Sequence, residues 1–267
     1  MIDFTKKERY SFEDMVNIIH LLRAPGGCPW DREQTHQSIR RNFLEETYEV
    51  LEAIDEDDPV HLCEELGDVL TQVVFHGDME AEAGRFSLED VYDGVCRKMI
   101  GRHPHVFGDV EVSGSGQVLD NWEVLKRREK GQETFADTLR AVAKNLPANW
   151  RAEKLQKKAG KAGFRWEGPL DALGKLREEA GELEDAIKRD ADPTEELGDV
   201  LFAAVGVSFA LGADPEEVLH SACEKFILRF SRMETLAAAE GAALDALSRD
   251  ELLRLWSAAK NEGDKSE

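Results

Sequence analysis

The heptapeptide Glu-Glu-Leu-Gly-Asp-Val-Leu occurs twice in this chain, at Glu64–Leu70 and again at Glu195–Leu201. An internal duplication of this kind restricts the fold to two similar units in tandem, each organised around one copy. A second acidic cluster precedes each copy: Glu45, Glu46 and Glu49 in the first half, Glu178, Glu179 and Glu182 in the second. Helical residues three apart sit about 60° from each other and residues four apart about 40°. Glu46/Glu49 and Glu65/Asp68 therefore each project two carboxylates from one helix face, and Glu179/Glu182 and Glu196/Asp199 do the same. The repeat extends beyond the acids. Trp30-Asp31 and Trp166-Glu167 precede them, and Lys98/Arg102 and Lys225/Arg229 follow, then Trp122/Lys126 and Trp256/Lys260. Small changes in loop length account for the slightly different separations.

Helix signals dominate between these motifs. Ser11–Asp14 and Ser87–Asp90 have the pattern of capping boxes, and Asp58-Pro59, Asp192-Pro193 and Asp214-Pro215 each place an acid at the N-cap before a proline in the first helical position. Leu173, Leu176, Ala180, Leu183 and Ile187 recur at helical spacing, with Glu179 on the shoulder of the apolar face. Val200–Leu211 is apolar on nearly every side and reads as a central, buried helix entered through Glu196 and Asp199. Residues 108–116 read as an exposed loop. The predicted organisation is a first domain over 1–130, a linker over 131–149 with a short helix over Phe135–Lys144 and a break at Asn145-Leu-Pro147, a second domain over 150–267, and an unstructured tail from Asn261.

Composition excludes several functions. A formal net charge of −21 opposes binding to a nucleic-acid backbone, which depends on neutralising phosphates with Lys and Arg. No apolar run approaches the ~20 residues that span a bilayer, and the start of the sequence lacks the apolar segment of a secretory signal. The expectation is a cytoplasmic protein with no membrane partner. Cys28, Cys63, Cys96 and Cys223 form no CxxC pair, which points to free thiols rather than zinc or disulfides.

Carboxylates brought together by two helices repel, at roughly 4 kcal/mol for a pair ~4 Å apart at an effective dielectric of about 20. A cation removes that cost, and all-oxygen ligands select a hard one, Mg²⁺ or Mn²⁺. Lys98/Arg102 and Lys225/Arg229 each aim two cations the same way, suited to phosphate oxygens, and Trp256/Lys260 pairs an aromatic plane with a cation. A nucleotide bound through its metal fits this set. The rival di-iron site needs Glu-x-x-His on two helices. Glu33/His36 and Glu217/His220 have that spacing but not equivalent repeat positions. A solvated acidic face, or a noncatalytic metal- and nucleotide-binding scaffold, is the alternative from another class.

The doubled EExxE…EELGDVL, with Gly27-Cys-Pro-Trp-Asp31, Leu44–Val50 and Arg102-His-Pro-His-Val-Phe107, resembles the MazG family of tandem-domain nucleoside triphosphate pyrophosphohydrolases over nearly the whole chain. The resemblance implies an all-α fold of four-helix type in each half, a homodimer, and Mg²⁺-dependent cleavage of a broad range of NTPs to NMP and pyrophosphate. Matched position by position, it puts metal ligands at Glu179, Glu182, Glu196 and Asp199; the neighbours Glu178 and Glu179 face different directions, and either is a candidate to orient the attacking water. Substrate contacts fall at Lys175, Lys225, Arg229, Trp256 and Lys260. Asp192 stands where the family has a lysine. In the family the second half is the better supported catalytic one, while Glu46, Glu49, Glu65 and Asp68 keep the full metal pattern in the first, so the sequence does not mark the first half as inactive.

Overall fold

A computed structural model describes residues 4–263, and every regular element among them is helical. The chain divides into two compact units, Met1–Lys126 and Arg127–Glu267. The first holds α1 (Phe12–Arg23), α2 (Pro29–Glu33), α3 (Arg40–Asp55), α4 (Pro59–Glu82), α5 (Leu88–Arg102), α6 (Pro104–Phe107) and most of α7 (Ser115–Glu129). The second holds α8 (Phe135–Arg140), α9 (Ala148–Lys161), α10 (Pro169–Lys188), α11 (Thr194–Leu211), α12 (Pro215–Ala239), a 3-10 turn at Leu244–Ala246 and α13 (Arg249–Gly263). No single helix among the described residues is long and apolar enough to cross a membrane.

Local chemistry sets the helix starts. Ser11 and Ser87 form complete capping boxes with Asp14 and Asp90. Asp58 Oδ1 accepts from the N–H groups of Val60 and His61 at 2.9 and 3.1 Å, and Asp214 Oδ1 from those of Glu216 and Glu217. These bonds satisfy N–H groups that have no partner within the helix. The third expected cap differs. Asp192 accepts from the Thr194 N–H, but Pro193 lies outside the helix and α11 begins at Thr194.

Each unit is built on an antiparallel hairpin, α3 with α4 and α10 with α11. Both first helices end alike. Asp57 and Asp190 take the left-handed conformation, with φ of 54° and 55°. The following N–H groups reach back to Ala53 and Ala186, at 3.0 and 3.1 Å. This is a Schellman ending with aspartate in the position that glycine usually fills, and the two alanines are buried where the helices meet. In the first unit α1 lies on α4 over Ile19, Ile39, Val74, Phe75 and Met79. In the second, α9 lies on α11, while α12 pairs with α13 over Met233, Ala237, Leu255 and Ala259.

Two expectations need correction. Val200–Leu211 is not buried all round: Ala203, Val205 and Gly206 face inward, but Leu201 and Leu211 are 61% and 65% exposed. Too few elements of the unit pack on α11 to cover its second face. The tail is helical through Gly263, because nothing before that glycine stops α13; the rest of the predicted tail lies outside the described residues. The predicted loop is irregular up to Ser115, where α7 starts, and the stretch 131–149 contains α8, which packs on α9.

Candidate active site

Each hairpin gathers three of its four expected carboxylates. In α3 and α4, ligand oxygens of Glu46, Glu49 and Glu65 lie within 4.8 Å of one another; in α10 and α11 those of Glu179, Glu196 and Asp199 do. Asp68 and Glu182 stand outside these tight groups, yet both act on them electrostatically. Burial, then repulsion from Asp68 and a hydrogen bond with Glu49, raises the Glu46 carboxyl above its usual range. Repulsion from Glu179, then burial and Glu196, does the same for Glu182. Glu65, buried in α4, is raised chiefly by burial and then by Glu49.

Both groups suit a divalent cation. Their donors are all carboxylate oxygens, and Glu65 Oε2 is buried without a hydrogen-bond partner in the structure. A hard ion with six oxygen ligands would draw two or three from such a group and the remainder from water or substrate.

The surroundings of the two groups differ. In the second half Lys175 Nζ lies 2.7 Å from both Glu178 and Glu179. Glu178 is exposed and Glu179 is buried, so the ammonium bridges the solvent and the centre of the carboxylate group. The equivalent residue in the first half is Asn42. There, His61 Nε2 sits 3.2 Å from Glu65 Oε1, at the position that Asp192 occupies in the second half.

The remaining expected contacts are placed elsewhere. Lys225 and Arg229 lie on α12, the first exposed and the second half-buried, and neither makes an ion pair with a described residue. Trp256 lies on α13 and packs against Phe226 at a ring separation of 5.2 Å, beside the core of the α12–α13 pair. Lys260 is exposed near the end of α13. In the first half the equivalents Arg102, Trp122 and Lys126 close on each other instead, with both cations over the indole at 5.1 and 4.6 Å.

A cavity of about 430 Å³ opens in the second unit between α8, α9 and α11, lined by Leu139, Leu155, Gln156, Phe164, Trp166 and Phe202 among others. Gln156 Nε2 donates to the Phe202 carbonyl at 2.8 Å, which leaves its buried Oε1 without a hydrogen-bond partner. Gly206 makes room for it. A Cβ there would lie 2.7 Å from Gln156 Oε1 and 3.3 Å from Trp166 Nε1. The equivalent position on α4 is Phe75, buried in the core. Of these residues only Trp166 stood out in the sequence. The available signal was a glycine facing a phenylalanine in the other copy of the repeat.

An all-α chain with two hairpin-borne carboxylate groups, one beside a lysine and an aromatic-lined cavity, falls in the class of helical proteins whose paired helices can gather carboxylates around a divalent cation. The comparisons narrow this class. The model of the MazG nucleotide pyrophosphohydrolase domain matches twice, at residues 34–107 and 168–233, and the chain belongs to that family. It is 42% identical over 255 residues to the nucleoside triphosphate pyrophosphohydrolase/pyrophosphatase MazG of Thermotoga maritima, covering 96% of this chain and 97% of that protein. It is 39% identical over 253 residues to the nucleoside triphosphate pyrophosphohydrolase of Escherichia coli K12, covering 93% and 96%. It is also 44% identical over 254 residues to YabN of Bacillus subtilis, an uncharacterized protein, covering 94% of this chain and 52% of that one.

Proposed function

We propose that this chain is a nucleoside triphosphate pyrophosphohydrolase that cleaves NTPs and dNTPs between the α and β phosphates, giving NMP and pyrophosphate with Mg²⁺ as cofactor. Mn²⁺ is a workable substitute. The carrying observation is the group of Glu179, Glu196 and Asp199 within 4.8 Å beside Lys175, in a chain of this family. Glu179, Glu196 and Asp199 would hold the ion, with Glu182 completing the set from α10. When bound, Mg²⁺ supplies positive charge at phosphate oxygens and a more acidic water.

The chain's own groups do the rest. Lys175 is held by two carboxylates and stays protonated, since its hydrogen bonds to Glu178 and Glu179 raise it above the usual lysine value. An arriving phosphate can take this ammonium over from Glu178. That frees an exposed carboxylate to orient the attacking water, and Glu178 is therefore assigned as the general base. The cavity begins one helical turn past Asp199, at Phe202, and its aromatic walls suit the nucleobase. A lining that is mostly apolar, with Gln156 Oε1 and Trp166 Nε1 near Gly206, is consistent with a broad base range.

The first half, with Glu46, Glu49, Glu65 and Asp68, is assigned a lesser role as a metal-binding and structural unit. We take the domains as 1–130 and 150–267, joined by a segment whose α8 packs on the second of them, and the protein works as a cytoplasmic homodimer without nucleic-acid or membrane partners. Exposed Leu66, Leu70, Leu197 and Leu201 on the two hairpins support the dimer. Product analysis tests the activity. ATP with Mg²⁺ should yield AMP and pyrophosphate, and ADP with orthophosphate as first products would overturn it.

A further inference from the structure

The wall of the cavity beside α11 holds a hydrogen-bond acceptor and a donor that do not meet. Gln156 reaches from α9 onto α11, where its Nε2 donates to the Phe202 carbonyl at 2.8 Å. A carbonyl only accepts, so the amide nitrogen must face Phe202 and the amide oxygen must point elsewhere. Oε1 is turned onto the backbone at Gly206, where it is buried and has no partner. The Trp166 indole comes to the same place from the irregular segment between α9 and α10. A Cβ on Gly206 would lie 2.7 Å from Gln156 Oε1 and 3.3 Å from Trp166 Nε1, so both atoms border the space that the missing side chain leaves. Nothing bonds to Oε1, and the indole N–H makes no hydrogen bond to a described residue.

This arrangement responds to what fills the cavity. While the cavity is wet, solvent can serve the indole N–H. An aromatic ring that enters expels that solvent, and a donor left unpaired in dry surroundings then weakens binding. Pairing Trp166 Nε1 with Gln156 Oε1 satisfies the orphaned donor and the orphaned acceptor together. Only a small movement of the indole is needed, because Gly206 places no side chain between them. Oε1 is covered by protein, which makes the neighbouring indole a better partner for it than a ligand in the cavity.

We propose that Gln156 is a positioning residue for the aromatic wall: when a nucleobase enters, the Trp166 indole N–H donates to Gln156 Oε1, and the ring is held as a fixed face on which the base stacks. The contact commits Oε1 to the protein, so no edge of the base is read there, and every base has a face that can stack. The inference rests on the reading that the cavity takes the base of a nucleoside triphosphate. It does not depend on which phosphate linkage is cut.

Ultraviolet resonance Raman spectroscopy tests the contact, through the indole mode that reports hydrogen bonding at Nε1. Subtracting the spectrum of Trp166→Phe isolates the Trp166 signal, and α,β-methylene-ATP with Mg²⁺ serves as the probe. The bound wild-type protein should show a bonded N–H, and bound Gln156→Met a free one. A free N–H in the bound wild type overturns the proposal without recourse to any Gln156 variant, and a bonded one in Gln156→Met overturns it as well. Saturating probe that leaves Trp166 fluorescence unchanged places the base elsewhere and does the same. In steady-state assays Gln156→Met should raise KM for ATP about tenfold, the weight of one buried hydrogen bond, with little change in kcat, because the ring meets the base away from the reacting phosphate. In a Trp166→Phe background the same change should add nothing; additive losses overturn the pairing. KM for ATP, GTP, CTP and UTP should rise alike, and a rise confined to one base would show that the base, not the indole, occupies Oε1. ADP and orthophosphate from the wild-type protein would overturn the proposed activity, while the Raman comparison still decides the contact.

Discussion

The two halves carry the same four carboxylates on the same kind of hairpin, and they differ in everything around them. In the second half the group has a lysine, an open cavity and, on α12, Lys225 and Arg229, which form no ion pair with a described residue. In the first half Asn42 replaces the lysine, Phe75 fills the space that Gly206 leaves open, and Arg102 and Lys126 are spent on Trp122. On the reading proposed above, the ligand set alone does not make a catalytic site. What separates the halves is the lysine beside the carboxylates, the space beside α11, and the ring contact that takes up Arg102 in the first half.

The largest expected effect tests that separation directly. Glu182→Gln should lower ATP turnover by about 100-fold or more, the scale of lost metal and transition-state contacts, and Glu49→Gln by less than about twofold. Equal losses in steady-state rate would show that both halves catalyse. Exchanging the residues at the cavity sharpens the contrast. Gly206→Phe should raise KM about tenfold or more by filling the cavity, measured with ATP. Phe75→Ala should leave KM unchanged and cost the first unit about 3–5 kcal/mol in urea unfolding.

A third difference is visible only as a function of pH. His36 Nδ1 and His76 Nδ1 are 2.6 Å apart with their rings stacked, and Glu80 lies 2.6 Å from His36 Nε2. The second-half equivalents of His76 and Glu80 are Val207 and Leu211, which do not titrate. Burial, then the neighbouring His36, lowers His76 below the usual 6.5, so its contribution is present above pH 6.5 and is lost as pH falls below it. Hydrogen bonds from Arg85 hold Glu80 at about 2 instead of 4.5, so its contribution is present above pH 4.5 and disappears as pH falls toward 2. Hydrogen exchange should therefore show α4 losing protection between pH 7.5 and 5.5 while α11 keeps it. His76→Val should abolish that dependence.

The smallest effect concerns the paired cations. Arg102→Ala should cost about 1 kcal/mol of stability through lost packing and the ring contact. Arg229→Ala, with no such partner, should stay within about 0.5 kcal/mol of the parent protein while losing turnover. Thermal unfolding read alongside activity separates the two roles.

The repeat, the caps and the hairpins were legible in the sequence because they depend on spacing and on local hydrogen bonds. Ser11, Ser87, Asp58 and Asp214 cap as their patterns require. The carboxylate pairs were legible because periodicity alone determines which residues share a face. The cavity was not, because it depends on a side chain that is absent at Gly206 and on an amide, Gln156, fixed from another helix. The exposure of α11 also escaped prediction. An apolar run states that something must cover it, not that the same unit supplies the cover.

The aspartates in left-handed conformation have a further consequence for how the two hairpins tolerate length change. From Asp57 to Glu65 the chain takes eight steps, nearly all helical; from Asp190 to Glu196 it takes six, of which the first several are irregular. A helical step advances about 1.5 Å and an extended one about 3.3 Å. Unwinding the first turn of α11 thus lets a shorter chain cover the same distance, and both hairpins deliver a glutamate to the level of the acids on the preceding helix. A two-residue deletion, which would ordinarily turn a helix face away from its partner, has been absorbed between a fixed turn and a fixed ligand.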